Sequence, residues 1–248
     1  MYEQSFSNFF KESILLSEGG NIFSIGRIEK KNVDPTIKSL EKLTGLKLMD
    51  NKLGSTGKTE TSGDIDLVIK GKPEDKTAFL NFLLSKGIER TSLKPVGIEI
   101  AYKAPVIDAA GNPVFVEIPD SLSGTKTKVQ QYIQVDFMFH DDPAYLKFYY
   151  ANNEDAPRRG SHRNITMASI AKAKGYSLSM KGLANRETKE VITRDPKVLA
   201  TMILGDDATE ADLYNIPSII RYLRKHYSEE EVQAMVGEAE TTIGMKVL

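Results

Sequence analysis

Apolar residues recur at helical spacing in some stretches of the chain and alternate with polar ones in others. Phe6, Phe9, Phe10 and Ile14 share one side of a short amphipathic helix over residues 5–16, which "SEGGN" then breaks. A second helix is expected from about Pro35 to Leu43, ending near Gly45. The stretch "LGSTGKTETSGDIDLVI" (Leu53 to Ile69) passes from a loop of glycines and small hydroxyl residues into a strand, Ile65 to Ile69. Pro73 stands where a first helical residue belongs, with Glu74 and Asp75 in the first turn. Ala78, Phe79, Phe82 and Leu83 supply that helix with an apolar stripe, and Gly87 stops it. Three strand-like runs follow, "GIEIAYK" (97–103), "PVFVEI" (113–118) and "VQQYIQVDFMF" (129–139), separated by turn-rich segments.

From Pro143 onward the pattern turns helical. Ser161 is placed to cap a helix over 162–174 that stops at Gly175, and Asp195-Pro196 opens another that Gly205 closes. Thr209 and Ser228 each stand three residues before an acid, Asp212 and Glu231, in the manner of capping boxes. Ile219, Ile220 and Leu223 form an apolar stripe. These elements predict an α+β protein with a mixed or antiparallel sheet flanked by helices, followed by a mainly helical module. The divisions are an N-terminal helical segment packing on the core (1–50), an α/β module (51–142) and the helical module (143–248), with a soft boundary near 142–160.

Composition narrows the chemistry. The chain has 248 residues and a net charge of −1, so no global field draws it to nucleic acid or membrane, and such binding needs a local basic patch. It has no cysteine, which removes disulfides, thiolate nucleophiles and cysteine zinc sites. The N-terminal residues carry Glu3, Lys11 and Glu12 in place of a signal-like pattern, and no run is long and apolar enough for a membrane span. A cytoplasmic protein is expected.

The Asp-Ile-Asp at 64–66 is the strongest chemical signal. On a strand Asp64 and Asp66 share one face, with Ile65 and Leu67 on the other. Two like charges at that spacing repel, and a divalent cation relieves them. Paired hard oxygen ligands suit Mg²⁺. Asp136 in "YIQVDFMF" projects from an otherwise apolar strand, and on neighbouring strands the three carboxylates converge. Such a cluster can hold two Mg²⁺ ions, or Mn²⁺, about 3.5–4 Å apart, as in-line phosphoryl displacement requires. Gly54 and Gly57 let the preceding loop turn tightly and bring its N–H groups to a triphosphate, Ser55 adds a hydroxyl, and Lys58 can neutralise charge on the leaving phosphates. "STGKT" is not a P-loop, because Lys52 occupies the place of the required first glycine and a strand follows where a helix should.

Gly54-Ser55, Asp64-Ile65-Asp66 and Asp136, in that order, resemble the signature of the polymerase β nucleotidyltransferase superfamily. The segment "RRGSHRNITMASIAKAKGYSLSMKGL" (158–183) is similar to the stretch after the third Asp in family X DNA polymerases, where a Gly-Ser pair opens a helix. That resemblance, over roughly residues 50–185, implies a palm-like fold. It also implies metal binding by Asp64, Asp66 and Asp136, and contact with a nucleoside or deoxynucleoside triphosphate by Gly54, Ser55, Lys58, Gly160 and Ser161. Arg158, Arg159, His162 and Arg163 would form an adjoining basic patch toward nucleic acid or phosphate. Lys58 takes the place of a phosphate-binding Arg, and Tyr149 and Tyr150 lie upstream of the position where the family's aromatic pair adjoins Gly-Ser. The whole sequence also resembles phage-encoded nucleotidyltransferases. The expected reaction moves a nucleoside monophosphate to an acceptor hydroxyl with release of pyrophosphate. A nucleic-acid 3′ end leads as acceptor; a tRNA end, a protein or a small molecule are alternatives, as is a non-catalytic binding protein of the same fold. Lys172, Lys174 and Lys181 read as solvated surface, His140 as an exposed turn and His226 as helix surface. Oligomeric state has no sequence signal.

Overall fold

The computed structural model describes residues 22–119, 126–155 and 158–247. The helix expected over 5–16 lies outside the described residues. The chain divides into two compact units, Met1–Asp141 and Asp142–Leu248. Each is α+β, and no helix among the described residues is long and apolar enough to cross a membrane.

In the first unit a short strand β1 (Ile28–Glu29) leads directly into helix α1 (Lys30–Thr44). The helix therefore begins well before Pro35, which sits inside it. Pro35 has no N–H to give to the preceding turn, a real cost in a helix interior. Burial of Val33, Ile37 and Leu40 on the sheet outweighs it, each such side chain contributing about 1.5–3 kcal/mol. Gly45 ends the helix at φ 72°, its N–H donating to the Glu41 carbonyl at 2.8 Å. Strand β2 (Thr61–Ser62) pairs antiparallel with β1.

The unit is organised by a four-stranded sheet. Its members are β3 (Asp64–Lys70), β4 (Leu93–Val96), β5 (Glu99–Pro105) and β8 (Tyr132–His140), in the order β3-β8-β5-β4. β3 runs parallel to β8, and the other pairs are antiparallel. Alternation gives the sheet two faces. Ile65, Leu67, Val135, Phe137, Ile100 and Tyr102 pack with α1 and with α2 (Asp75–Ser85), whose Phe79 ring meets Phe137 edge-on at 5.2 Å. The opposite face carries Asp64, Asp66, Gln134 and Asp136.

Two features depart from the sequence pattern. The apolar run 129–139 is two strands, because at Gln131 the chain exchanges partners: Gln131 N–H donates to Val114 O and its carbonyl accepts from Val106. N-terminal to that point β7 (Lys126–Gln130) pairs with β6 (Phe115–Pro119) as a separate ribbon. The short β4, with Pro95, was not evident in the pattern and forms the sheet edge, where a missing N–H is tolerated. His140 is also not in an exposed turn. β8 continues through it in register with Lys70, leaving it 6% exposed.

The second unit opens with α3 (Pro143–Tyr149), capped by the Asp142 carboxylate accepting from Tyr145 N–H at 3.0 Å. Helix α4 (Gly160–Ala173) follows, then a small antiparallel sheet of β9 (Tyr176–Ser179), β10 (Gly182–Asn185) and β11 (Val191–Thr193). Helices α5 (Pro196–Ile203), α6 (Ile216–His226) and α7 (Glu229–Ile243) complete it around Ile170, Leu199, Ile219, Leu223 and Val236. Asp195 caps α5, and both expected capping boxes form: Thr209 N–H donates to Asp212 at 2.9 Å and Ser228 N–H to Glu231 at 2.8 Å. Ser161 does not cap α4. The helix starts two residues earlier, at Gly160, and His162 Nδ1 accepts the Arg159 N–H at 3.3 Å.

Candidate active site

The parallel register sets Asp66 directly beside Asp136 and Asp64 beside Gln134. One carboxylate oxygen from each of Asp64, Asp66 and Asp136 lies within 4.8 Å of the other two. Asp64 and Asp66 are partly exposed, and Asp136 is 5% exposed. Gln134 Nε2 donates to both oxygens of Asp136, at 3.1 and 2.9 Å, and Gln134 Oε1 accepts the Ile22 N–H at 2.7 Å. Gln134 thereby fixes the Asp136 carboxylate in its plane. Its phase in the strand, two residues before Asp136, was visible in the sequence, but its role was not.

Burial and mutual repulsion raise the proton affinity of the cluster. Asp66 is held well above the usual carboxylate range by desolvation, then by Asp64, Asp136 and Glu99. Asp136 is pushed up to about 7, mainly by desolvation, with the Gln134 hydrogen bonds opposing. Asp64 is raised by burial and partly relieved by the Arg27 guanidinium. Glu99, at the start of β5, is a fourth acid on this face. It is raised by burial and by Asp64, with Lys76 opposing. A polar residue in "GIEIAY" was the available signal for it.

The loop before β3 abuts the cluster. Gly54 and Gly57 hold φ 57° and 69°, and a Cβ on Gly54 would lie 3.4 Å from Asp66 Oδ2. Thr56, 5% exposed, accepts the Asp66 N–H on its hydroxyl at 3.0 Å, and Leu53 N–H donates to Asp66 O at 2.9 Å. The loop is thus tied to the strand on which the metal-type carboxylates sit. Ser55 is half-buried, and Lys58 is exposed, its N–H donating to Ser55 O at 3.0 Å. Arg27, distant in sequence, joins them. Its Nε and Nη2 donate to Thr61 Oγ1 and O, both at 2.9 Å, which pins the guanidinium near Asp64.

The other expected residues lie in the second unit. Gly160 opens α4 where a Cβ would come within 3.1 Å of Ala151 O and Asn152, so close packing already requires a glycine there. Ser161 and Arg159 are exposed, and Arg158 and His162 are half-buried. Burial and the two neighbouring arginines lower the His162 proton affinity, consistent with its ring accepting a hydrogen bond. Arg163 is different from the expectation. It is 1% exposed, donates to Leu213 O at 2.6 Å and Phe148 O at 3.1 Å, and lies 4.7 Å over the Phe148 ring. Its charge is spent inside the unit and does not belong to a solvent-facing patch.

No family model matches the sequence, and no curated protein matches it. Two solved structures of Leishmania infantum polymerase beta are similar to this chain. The ternary P/T complex is 14% identical over 75% of this chain and 76% of that one, with a TM-score of 0.43. The ternary gap complex is 15% identical over 89% and 68%, with a TM-score of 0.38. The chemistry of the site stands on its own geometry.

Proposed function

We propose that this protein is a divalent-metal-dependent nucleotidyltransferase that moves a nucleoside monophosphate from an NTP or dNTP to an acceptor hydroxyl, releasing pyrophosphate. The observation that carries the reading is the convergence of Asp64, Asp66 and Asp136 from two paired strands, beside a glycine-rich loop. The donor set fits the ion. It is all carboxylate oxygen, partly open, and its members repel each other without a cation between them. Asp64, Asp66 and Asp136 would hold Mg²⁺ or Mn²⁺, and two such ions when bound neutralise charge on the attacking and leaving oxygens.

The chain's own residues supply the rest. Gly54, Ser55 and Lys58 bind the triphosphate with backbone N–H, hydroxyl and ammonium groups, and Arg27 adds a fixed guanidinium at the same mouth. The acceptor oxygen bonds to the α-phosphorus, the bond to the bridging oxygen of the β-phosphate breaks, and pyrophosphate leaves. Asp136 takes the proton of the attacking hydroxyl. The acceptor is a nucleic-acid 3′ hydroxyl.

The test is incubation with each α-labelled nucleoside triphosphate and Mg²⁺, offering DNA, RNA and protein acceptors in parallel. Asp66→Ala and Asp136→Ala should each abolish labelling while the protein stays folded. Retained labelling in either variant overturns the metal assignment. Label on protein alone removes the nucleic-acid acceptor, and neither label nor triphosphate binding leaves a non-catalytic binding protein.

A further inference from the structure

Strands β6 and β7 make a two-stranded ribbon outside the four-stranded sheet. Two strands alone are marginally stable in water, yet this ribbon presents Phe115 and Ile118 at 49% and 51% exposure. Cations and aromatic rings alternate from the sheet onto it. Lys103 Nζ lies 4.8 Å over the Tyr132 ring, Tyr132 Oη donates to Gln130 Oε1 at 3.4 Å, and Lys128 Nζ lies 5.7 Å over Phe115. Tyr132 is on β8, the strand that carries Asp136.

Between the ribbon and residues 27–32 is an open cavity of about 490 Å³, bounded by Arg27, Lys31, Phe115, Val116, Lys128 and Gln131. Its acids are engaged by their own neighbours. Glu29 pairs with Lys31 at 2.6 Å, and Asp108 Oδ1 accepts the Ala110 and Asn112 N–H groups. On the ribbon, Glu117 pairs with Lys126 at 3.3 Å. Arg27 lines this cavity, and its charge also acts on Asp64. Gln131 Nε2 donates to Arg27 O at 2.8 Å, tying the ribbon's base to that segment.

We propose that the ribbon and this cavity bind the acceptor as single-stranded nucleic acid, one base stacked on Phe115 and its phosphate on Lys128, the strand running toward Asp136. The volume suits a nucleotide. An exposed ring beside a cation is the pairing that holds an unstacked base and its backbone, whereas a duplex keeps its bases stacked. The pairing occurs once on the sheet, at Tyr132, and once on the ribbon, at Phe115, and two such pairs fit a strand better than a lone mononucleotide. The inference rests on the nucleotidyltransferase reading for its direction.

The experiment measures fluorescence anisotropy of labelled single-stranded oligo-dT in EDTA, so that no transfer occurs, across a salt series. Phe115→Ala should weaken binding about tenfold, with Phe115→Trp close to wild type. Lys128→Ala should make the log K against log salt slope shallower by about 0.7, the value of one phosphate contact on a single strand. Both residues are exposed, and circular dichroism melts confirm that the variants fold. A parallel titration with a Mg²⁺-bound non-hydrolysable triphosphate should be unchanged in both variants. Oligo-dT affinity and slope unchanged in Phe115→Ala and Lys128→Ala overturn the proposal. So does a wild-type dimer in sedimentation that Phe115→Ala dissolves, which would give the ribbon to a second copy of the chain. Loss of triphosphate binding in wild type with oligo-dT binding intact sinks the transferase reading while supporting the ribbon.

Discussion

Asp136→Asn, compared with wild type in metal-free protein, tests whether the carboxylates form a strained cluster. In the folded protein Asp136 titrates at about 7, while in the unfolded chain it has an ordinary carboxylate value near 4. Between those values the folded state holds a proton that the unfolded state releases. Stability from this group is therefore present at acid pH and is lost as pH rises toward the folded value. From about pH 5 to about pH 8 the loss is about 2.5 kcal/mol. The Asn side chain cannot titrate, so the variant lacks this slope. It also removes a negative charge beside Asp66, which lowers the Asp66 proton affinity and flattens the variant further. Asn leaves one Gln134 amide contact mismatched, at about 1 kcal/mol, but that cost does not vary with pH. The groups facing the site, Asp64, Asp66, Glu99 and Arg27, are common to both proteins. Urea unfolding in EDTA, followed by circular dichroism at several pH values, gives the difference directly. A wild-type-to-variant gap that stays constant over this range would refute the electrostatic account. Mg²⁺ added at about pH 8 should stabilise wild type by mass action and the variant far less.

Replacing Gly54 with Ala should cost about 1 kcal/mol, because φ 57° disfavours a Cβ, and should weaken triphosphate binding measured by titration. Gly54→Asn should recover most of the stability, since Asn tolerates that backbone; equal loss in both would point to side-chain crowding instead. Arg163→Met should destabilise the second unit by about 3 kcal/mol in thermal or urea unfolding, because the Leu213 and Phe148 carbonyls lose their donor. Unchanged stability together with a shallower salt dependence of nucleic-acid binding would return Arg163 to an exposed patch. Glu99→Gln should raise the midpoint of the metal-free protein near neutral pH, because it removes a like charge from Asp64. A lower midpoint in that variant would mean that Glu99 serves the fold by a bond other than charge.

Where the sequence was informative, one local rule decided the matter. Alternation alone set Asp64 and Asp66 opposite Ile65 and Leu67, and the same rule exposed Asp136 as an acid in an apolar strand. The capping boxes at Thr209 and Ser228 needed only a three-residue offset. What the sequence hid depended on contacts between distant segments. Pro35 looked like a helix start, yet α1 begins at Lys30, because the tertiary burial of Val33 lies outside any propensity rule. Arg163 sat among exposed basic residues in the sequence, and only its place on the inner side of α4 turned it from a surface cation into an internal donor. Arg27 carried no motif at all. It reaches the site because β1 pairs with β2 and Thr61 takes two of its donors. The same logic applies to the ribbon. Its alternating pattern was legible as strands, but the exchange of partners at Gln131 detaches β6 and β7 from the sheet and leaves Phe115 facing solvent. An exposed ring is thereby free to meet a base, and Asp136, four residues along β8 from Tyr132, gives that base a reason to be there.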